Sequence, residues 1–435
     1  MPAFFISMLL LYTNHISPRL VYITSFMLGD LLGMQIKLTT NVDDHLRHSG
    51  AKINYSDQQL HGDGLQVIPH GLLFEKTIQP QQVDCLFFKE QVAFFKTGGP
   101  DLFFDVFAAA FYLLSRYEEY LPHKKDMYGR FAHEESLAFQ NGFLDQPLIN
   151  HWALQLGYFI QQKFPETKIK MPAFKFLPTY DIDIAFSFKH KGLLRSIGGS
   201  LKSPTLKRFL VLAGMKPDPY DAFEWMDDLH AQHKLQPRYF FLLAEKNSRY
   251  DKHILPRKKA LRQLVQRLST KYPIAIHPSW QSGDDPQLLE SELKQLELIS
   301  GQQVSHSRQH YIRFNLPDGY RRLINEGVTD DYSMGYGSIN GFRASTASPF
   351  FWYDLEREET TELRIHPFCF MEANSFYEQQ LGAAEACAEL KKYARVCQRV
   401  GGTMITIWHN HFLGTEARFE SYRDMYKKFI EEGFE

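Results

Sequence analysis

The chain has 435 residues, of which 44% are hydrophobic, 14% aromatic and 23% charged, and its formal net charge is −1. This is the composition of a soluble globular protein, and the length exceeds one ordinary hydrophobic core, so two or three domains are expected. A net charge this small gives no global field that favours nucleic acid or an anionic membrane as a partner.

The start of the chain and the cysteines bear on location. Residues 2–12 are apolar but too few to span a bilayer, and they lack a basic leader and a small-residue cleavage site. A strand over 8–12 explains them better, and no membrane insertion is expected. Four scattered cysteines, Cys85, Cys369, Cys387 and Cys397, form no C-x-x-C pair. Together these features indicate a cytoplasmic protein with unpaired thiols.

The first 170 residues are predicted to form a smaller α/β domain. Strands are predicted over 65–68 and 83–88, and apolar residues at helical spacing predict a long helix over 101–120. Pro147 opens a second predicted helix, over 148–164. Pro165 and Pro172 bracket a predicted boundary near residue 170, which divides the chain into domains 1–170 and 171–435.

From residue 174 onward, predicted strands alternate with predicted helices. The helices are expected over 221–233, 258–269, 287–300 and 375–400. This alternation favours parallel strands with crossover helices, and seven such strands suggest a closed or nearly closed barrel. The predicted strands cover 174–177, 238–243, 274–277, 304–306, 327–330, 362–367 and 403–408. Two basic stretches, 202–208 and 257–262, indicate solvated helix faces.

An acid pair, Asp181 and Asp183, ends the first of these strands. Side chains alternate along a strand, so the two carboxylates point to the same face. Adjacent anions repel unless a cation or a shared proton lies between them, which favours a metal and base site. The alternative is an exposed acidic turn.

Other titratable residues also follow predicted strands. His277 ends the third strand, Arg308 and His310 follow the fourth, and His409 ends the last one. Because reactive side chains of parallel barrels lie at the carboxyl ends of the strands, these residues are expected to converge.

The order of these motifs resembles the polysaccharide deacetylases, the NodB-like carbohydrate esterases. The motifs are T-x-D-x-D at 179–183, H-P-S at 277–279, S-R-Q-H-Y at 307–311 and I-W-H-N at 407–410. The resemblance covers roughly 174–435 and implies a distorted seven-stranded (β/α) barrel. The S-R-Y-E-E-Y run at 115–120 resembles an accessory region that precedes such domains in some bacterial proteins.

The resemblance implies roles residue by residue. Asp181 is implied as the general base, held in place by Arg308, and His409 as the acid for the leaving group. Asp183 and His277 are implied as metal ligands. A second set is predicted to contact or line the substrate site: Tyr311, whose backbone N–H is implied for the oxyanion, Trp280, Arg343 and Trp408.

Two departures from the family pattern concern the metal. The second ligand histidine is expected four residues after His277, but Gln281 stands there, and glutamine is a poor ligand for Zn²⁺. His310 occupies a position where the family usually has proline. Either His310 replaces the missing imidazole, which gives Asp183, His277 and His310 as ligands, or the metal site has decayed.

Two functions are therefore expected. The first is a hydrolase that uses a divalent metal, with Zn²⁺ favoured, to remove N- or O-acetyl groups from a saccharide or glycan precursor. The alternative is a catalytically silent protein of the same fold that binds a glycan or a partner.

Overall fold

The computed structural model describes residues 8–61, 64–190 and 205–433 of a mixed α/β protein. Two compact units make up the chain. The first contains the residues up to Lys175 together with Gly341–Pro367 and Val396–Thr403. The second contains Phe176–Asn340, Phe368–Arg395 and the residues from Met404 onward. The domain boundary near residue 170 stays a prediction.

A four-stranded parallel sheet lies at the start of the first unit, in the order β2-β1-β3-β4. The predicted strand over 8–12 is confirmed as β1, whose apolar residues after Met8 are buried. A small antiparallel pair, β5-β6, follows. These strands are β1 (Met8–Thr13), β2 (Gln35–Thr39), β3 (Lys52–Tyr55), β4 (Leu65–Val67), β5 (Leu86–Phe88) and β6 (Gln91–Ala93).

Five α-helices accompany these strands. The predicted helix over 101–120 is shorter in the structure, because the Asp105 carboxylate caps its start and Arg116 adopts a left-handed conformation at its end. Every residue of that helix is buried. The helices are α1 (Pro18–Thr24), α2 (Val42–Arg47), α3 (Val106–Leu114), α4 (Leu137–Gln140) and α5 (Leu148–Lys163), with a π-helix at Ser25–Asp30 and 3₁₀ turns at Leu72–Phe74, Tyr117–Tyr120 and His133–Glu135.

The second unit is built on seven consecutive strands of one sheet, in the order β11-β10-β9-β8-β7-β15-β14. The pairings recorded within β11 to β7, and between β14 and β15, are parallel. These strands are β7 (Lys175–Ile182), β8 (Arg238–Leu242), β9 (Ile274–His277), β10 (His306–Ser307), β11 (Asp330–Asp331), β14 (Phe370–Met371) and β15 (Thr403–His409). Among the described residues the strand order is open, and the predicted closed or nearly closed seven-stranded barrel is not confirmed.

The predicted strand over 362–367 is present as one arm of a hairpin and not as a parallel strand beside β15. In the first unit, β12 (Phe350–Asp354) and β13 (Glu359–Ile365) form an antiparallel hairpin with Asp354 opposite Glu359. Burial alternates along the end of β13, as expected for a strand with one solvated face. The strand that pairs beside β15 is instead the short β14, which the sequence prediction missed.

The predicted helices over 221–233, 258–269 and 287–300 of the second unit are confirmed, whereas Asp318–Asn325 and Glu420–Glu432 were not predicted. One exception is the predicted helix over 375–400, which is a π-helix at Asn374–Glu378 and a separate α-helix after Gly382. The helices are α6 (Leu206–Leu212), α7 (Phe223–His233), α8 (Lys259–Ser269), α9 (Pro286–Ser300), α10 (Asp318–Asn325), α11 (Ala383–Arg399) and α12 (Glu420–Glu432), with 3₁₀ turns at His310–Ile312 and Ala417–Phe419. Within the described ranges, no helix combines the length and hydropathy of a transmembrane segment. Of the basic stretch 202–208, residues 202–204 lie outside the described residues.

Candidate active site

The acid pair lies at the carboxyl end of β7, where the strand passes into a loop. Asp181 is buried, and its Oδ1 accepts a hydrogen bond from an Arg308 terminal nitrogen at 2.8 Å. The same nitrogen donates to Thr179 Oγ1 at 2.7 Å, and Arg308 Nε donates to the Tyr332 carbonyl at 3.0 Å. The guanidinium also lies over the Phe240 ring. Arg308 is therefore held on several sides, and the Asp181 carboxylate is fixed by a charge-assisted hydrogen bond.

Asp183 and two imidazoles form a cluster of metal-ligating groups. Asp183 Oδ1 lies 3.2 Å from His277 Nε2, and Asp183 Oδ2 lies 3.5 Å from His310 Nε2. One ligand atom from each residue falls within 4.8 Å of the others. The strands explain this convergence, because His277 ends β9 and His310 follows β10, which is the next strand in the sheet.

Both imidazoles are oriented through their other nitrogen. His277 Nδ1 lies 2.6 Å from the Arg308 backbone carbonyl, and His310 Nδ1 lies 3.0 Å from Asp251 Oδ1. Both partners are acceptors, so each Nδ1 carries the hydrogen and donates it. In the neutral tautomer, each Nε2 then presents a lone pair to the space beside Asp183. This is how proteins usually orient metal-binding histidines.

The charges of this cluster shift one another's pKa values. Burial disfavours the charge of Asp183, but the His310 and His409 imidazoles hold the pKa of this carboxyl well below its usual range. Burial also opposes protonation of His310, but the Asp183 and Asp251 carboxylates raise its pKa to about 9. Protons thus occupy positions that a cation can take, and metal binding is expected to release them.

His409, at the end of β15, is paired with a buried carboxylate that sequence reasoning missed. Its Nδ1 lies 2.6 Å from Glu372 Oε1, and its Nε2 lies 3.5 Å from Asp183 Oδ2. Glu372 is fully buried and also accepts the His409 backbone N–H. Burial opposes the imidazolium, but Glu372 and Asp183 raise the pKa of His409 to about 10. Glu372 directly follows β14. The sequence prediction placed a strand at 362–367 and none at β14, and for this reason Glu372 was not recognised as a residue at a strand end.

Asp251 is the second carboxylate that the sequence did not reveal. It is fully buried in the loop after β8, and its Oδ1 accepts the Trp280 backbone N–H at 2.8 Å as well as the His310 contact. Its Oδ2 accepts from Ser248 Oγ at 2.9 Å and lies 3.4 Å from Gln281 Nε2. Gln281 thus contacts Asp251 through its side-chain amide.

Two predicted substrate contacts lie together beside His310. The Trp280 ring stacks on Tyr250 at 4.0 Å between centroids, and Tyr311 meets both rings edge-on. The Tyr311 ring lies 4.6 Å from the His310 ring. Trp280, Tyr250 and Tyr311, here called the aromatic group, are each partly exposed. Tyr311 has a positive φ of 60°, a strained conformation for this residue type.

The other two predicted substrate contacts are engaged elsewhere. Trp408 is fully buried in β15, and its ring packs 4.4 Å from the Tyr426 ring. Arg343 is buried in the first unit, where its guanidinium donates to both Glu119 carboxylate oxygens. Burial opposes the charge of Glu119, but Arg343 and Arg116 lower its pKa to about 2. The pairing with Glu119 accounts for the Arg343 side chain, and complete burial argues against a substrate contact for Trp408.

The comparisons with known proteins give limited similarity. The model described as "Family of unknown function (DUF7033)" matches residues 9–165. No curated protein matches this chain.

Solved structures similar to this chain include polysaccharide deacetylases, a CE4 family pseudoenzyme and a GH57-type branching enzyme from Pyrococcus horikoshii. A protein from Mycobacterium smegmatis assigned as a polysaccharide deacetylase is 12% identical with a TM-score of 0.39, over 60% of this chain and 86% of that one. The polysaccharide deacetylase Bc1974 from Bacillus cereus is 11% identical with a TM-score of 0.30, over 59% and 87%. BA3943 from Bacillus anthracis, a CE4 family pseudoenzyme, is 8% identical with a TM-score of 0.29, over 62% and 68%. At these scores, the similarities do not establish a common fold.

Proposed function

We propose that the second unit is a metal-dependent hydrolase that removes an acetyl group from a saccharide or glycan precursor. The observation that supports it most is the convergence of Asp183, His277 and His310, with both imidazoles oriented through Nδ1. The motif order of the sequence, which resembles the polysaccharide deacetylases, supplies the class of reaction.

The donor set fits a divalent cation. Two imidazole nitrogens and one carboxylate oxygen are the ligands of open, catalytic zinc sites. Asp183 Oδ1 is buried and has no hydrogen-bond partner among the residues that the structure describes, although it lies 3.2 Å from His277 Nε2. A cation among these three residues satisfies that oxygen, and Zn²⁺ is the ion that the ligand types favour. Such a cation, when bound, supplies Lewis acidity and lowers the pKa of water.

The remaining residues supply positioned proton transfer. Asp181, fixed by Arg308, accepts a proton from the attacking water. His409 donates its Nε2 proton to the leaving nitrogen or oxygen of the sugar, because its Nδ1 proton is retained by Glu372. The Tyr311 backbone N–H is proposed as a donor to the developing oxyanion. The products are acetate and the free amine or alcohol.

The aromatic group is proposed to contact the sugar. Flat, partly exposed rings pack against the apolar faces of pyranose rings, and Trp280 and Tyr311 lie next to the ligand His310. Trp408 and Arg343 are left out of this proposal because they are buried in other contacts.

Metal content and acetate release test the proposal together. Purified protein is expected to contain stoichiometric Zn²⁺, or to take it up, and to release acetate from acetylated oligosaccharides. Asp183→Asn should lose both properties, because it removes the ligand that contacts both imidazoles. Asp227→Asn is a matched control, since Asp227 pairs with Arg267 and Lys271 on α8 and the turn after it.

The silent alternative predicts a different outcome. A protein that binds acetylated oligosaccharides but takes up no metal and releases no acetate would refute the hydrolase. The Gln281 substitution is the observation that keeps this alternative open, since it removes the usual second histidine. Full activity of Asp183→Asn would likewise contradict the proposed ligand set.

A further inference from the structure

A surface patch that the hydrolytic site does not use lies on and just after α6. Leu206 is 74% exposed, Phe209 65% and Met215 71%, and Leu212 is also exposed. Among the residues of α6, only Val211 is buried. Large apolar side chains that cluster on a surface usually mark an interaction site, whereas single ones do not. We call Leu206, Phe209, Leu212 and Met215 the apolar patch.

The helix that carries the patch is attached by its basic side chains. Lys207 Nζ lies 3.2 Å from Glu416 Oε2, and the Arg208 guanidinium lies over the Phe188 ring. After the helix, the Met215 backbone N–H donates to the Leu210 carbonyl at 2.8 Å, which folds the chain back beside it. The polar side chains of α6 therefore contact the protein while its apolar ones face outward.

The surrounding sequence is uniformly basic. Between Asp183 and Asp218, the chain contains no acidic residue. Its charged residues are Lys189, Lys191, Arg195, Lys202, Lys207, Arg208 and Lys216. Lys191, Arg195 and Lys202 lie outside the described residues, so the structural argument uses only the others. The net charge of the whole chain hides this local excess.

Hydrogen bonds to Asp218 join the two ends of this basic segment. The Asp218 carboxylate accepts the backbone N–H groups of Ser187, Phe188 and Lys189 at 2.6, 2.8 and 2.9 Å. The segment leaves the sheet directly after Asp183, so it is attached at the edge where the ligand residues lie.

We propose that the apolar patch and its basic neighbours bind peripherally to an anionic lipid bilayer. Lys216 is exposed and directly follows the exposed Met215. A bilayer interface offers an anionic headgroup layer for such a charge directly above an apolar layer for the patch. Nucleic acid matches the charge, but it has no apolar layer that would bury aliphatic side chains. This proposal does not depend on the hydrolase proposal.

Vesicle flotation with the full-length protein tests the proposal. Wild type is expected to float with vesicles of phosphatidylglycerol and phosphatidylcholine, weakly with phosphatidylcholine alone, and less at high salt. The double variant L206S/F209S should lower the partition coefficient at least tenfold, and Lys216→Gln about fivefold. Leu298→Ser is the matched control, because Leu298 is 75% exposed on α9 of the same unit.

Several results would overturn the proposal. Wild type that fails to float, or a double variant that floats like wild type, excludes the patch as the membrane contact. An equal loss in Leu298→Ser means that binding is unspecific. If sedimentation instead finds a dimer that L206S/F209S dissociates, the occupant of the patch is a second copy of the chain. Circular dichroism on each variant checks that the fold is retained.

Discussion

Replacing Asp251 with asparagine probes whether His310 is a metal ligand. In the wild-type protein, Asp251 Oδ1 accepts both the His310 Nδ1 hydrogen and the Trp280 backbone N–H. The Trp280 backbone N–H needs a hydrogen-bond acceptor at the Oδ1 position. The side-chain carbonyl of the new asparagine is therefore expected to take that position. The amide NH₂ then faces Ser248 Oγ and the side chain of Gln281, both of which donate to Asp251 Oδ2 in the wild type. The hydrogen bond to His310 survives, but it loses its anionic acceptor.

The expected effect is on metal affinity. Loss of a carboxylate that orients a ligand histidine typically costs 10–100-fold in affinity, which corresponds to about 1.4–2.7 kcal/mol. The assay is a Zn²⁺ titration of the apo protein by calorimetry, in competition with a chelator of known affinity. Asp227→Asn should bind within about twofold of wild type, because Asp227 contacts Arg267 and Lys271.

One result would refute this reasoning. If Asp251→Asn folds normally and binds Zn²⁺ within about twofold of wild type, while Asp183→Asn abolishes binding, then the charge of Asp251 does not strengthen the site through His310. Wild-type Zn²⁺ affinity in His310→Ala would exclude His310 itself as a ligand.

Three further predictions address catalysis and stability. Asp181→Asn should lower turnover at least about 100-fold but leave Zn²⁺ affinity within about tenfold of wild type, because it removes the base and keeps an acceptor for Arg308. If turnover and Zn²⁺ affinity fall equally, Asp181 is a metal ligand. Glu372→Gln should lower turnover by a factor of about 10²–10⁴ without unfolding the protein, because His409 loses the anion that holds its Nδ1 proton. Steady-state kinetics that match wild type would contradict a role of Glu372 in holding this proton. Burial raises the pKa of Glu292 to about 7 in the folded state. Between pH 4.5 and 7, Glu292 therefore keeps a proton in the folded state that it has lost in the unfolded state. The contribution of Glu292 to unfolding free energy should therefore fall as pH rises through this window, by up to about 3 kcal/mol, and Glu292→Gln should flatten that slope in urea titrations at pH 5 and 8. A slope that Glu292→Gln leaves unchanged would assign the pH dependence to other groups.

Local patterns in the sequence determined the elements that lie near the proposed site. The strand that ends at the acid pair, the strand that ends at His277 and the terminal strand that ends at His409 are all present, since apolar runs followed by polar residues specify buried parallel strands. The choice of Asp183, His277 and His310 as candidate ligands came from the resemblance of the motifs to the polysaccharide deacetylases, and the cluster is found in the structure. Their role as ligands stays a proposal.

The tertiary structure alone decided which side chains support this cluster. Asp251 and Glu372 follow strands like many other acids in the sequence, and only the pairing of strands brings each within hydrogen-bond distance of an imidazole. Arg343 and Trp408 fit a substrate role by motif position, but buried partners account for both. The openness of the sheet and the hairpin of β12 and β13 depend on long-range pairing, which local periodicity does not encode. Sequence spacing specifies which residues end a strand, whereas the partners of those residues depend on which strands become neighbours.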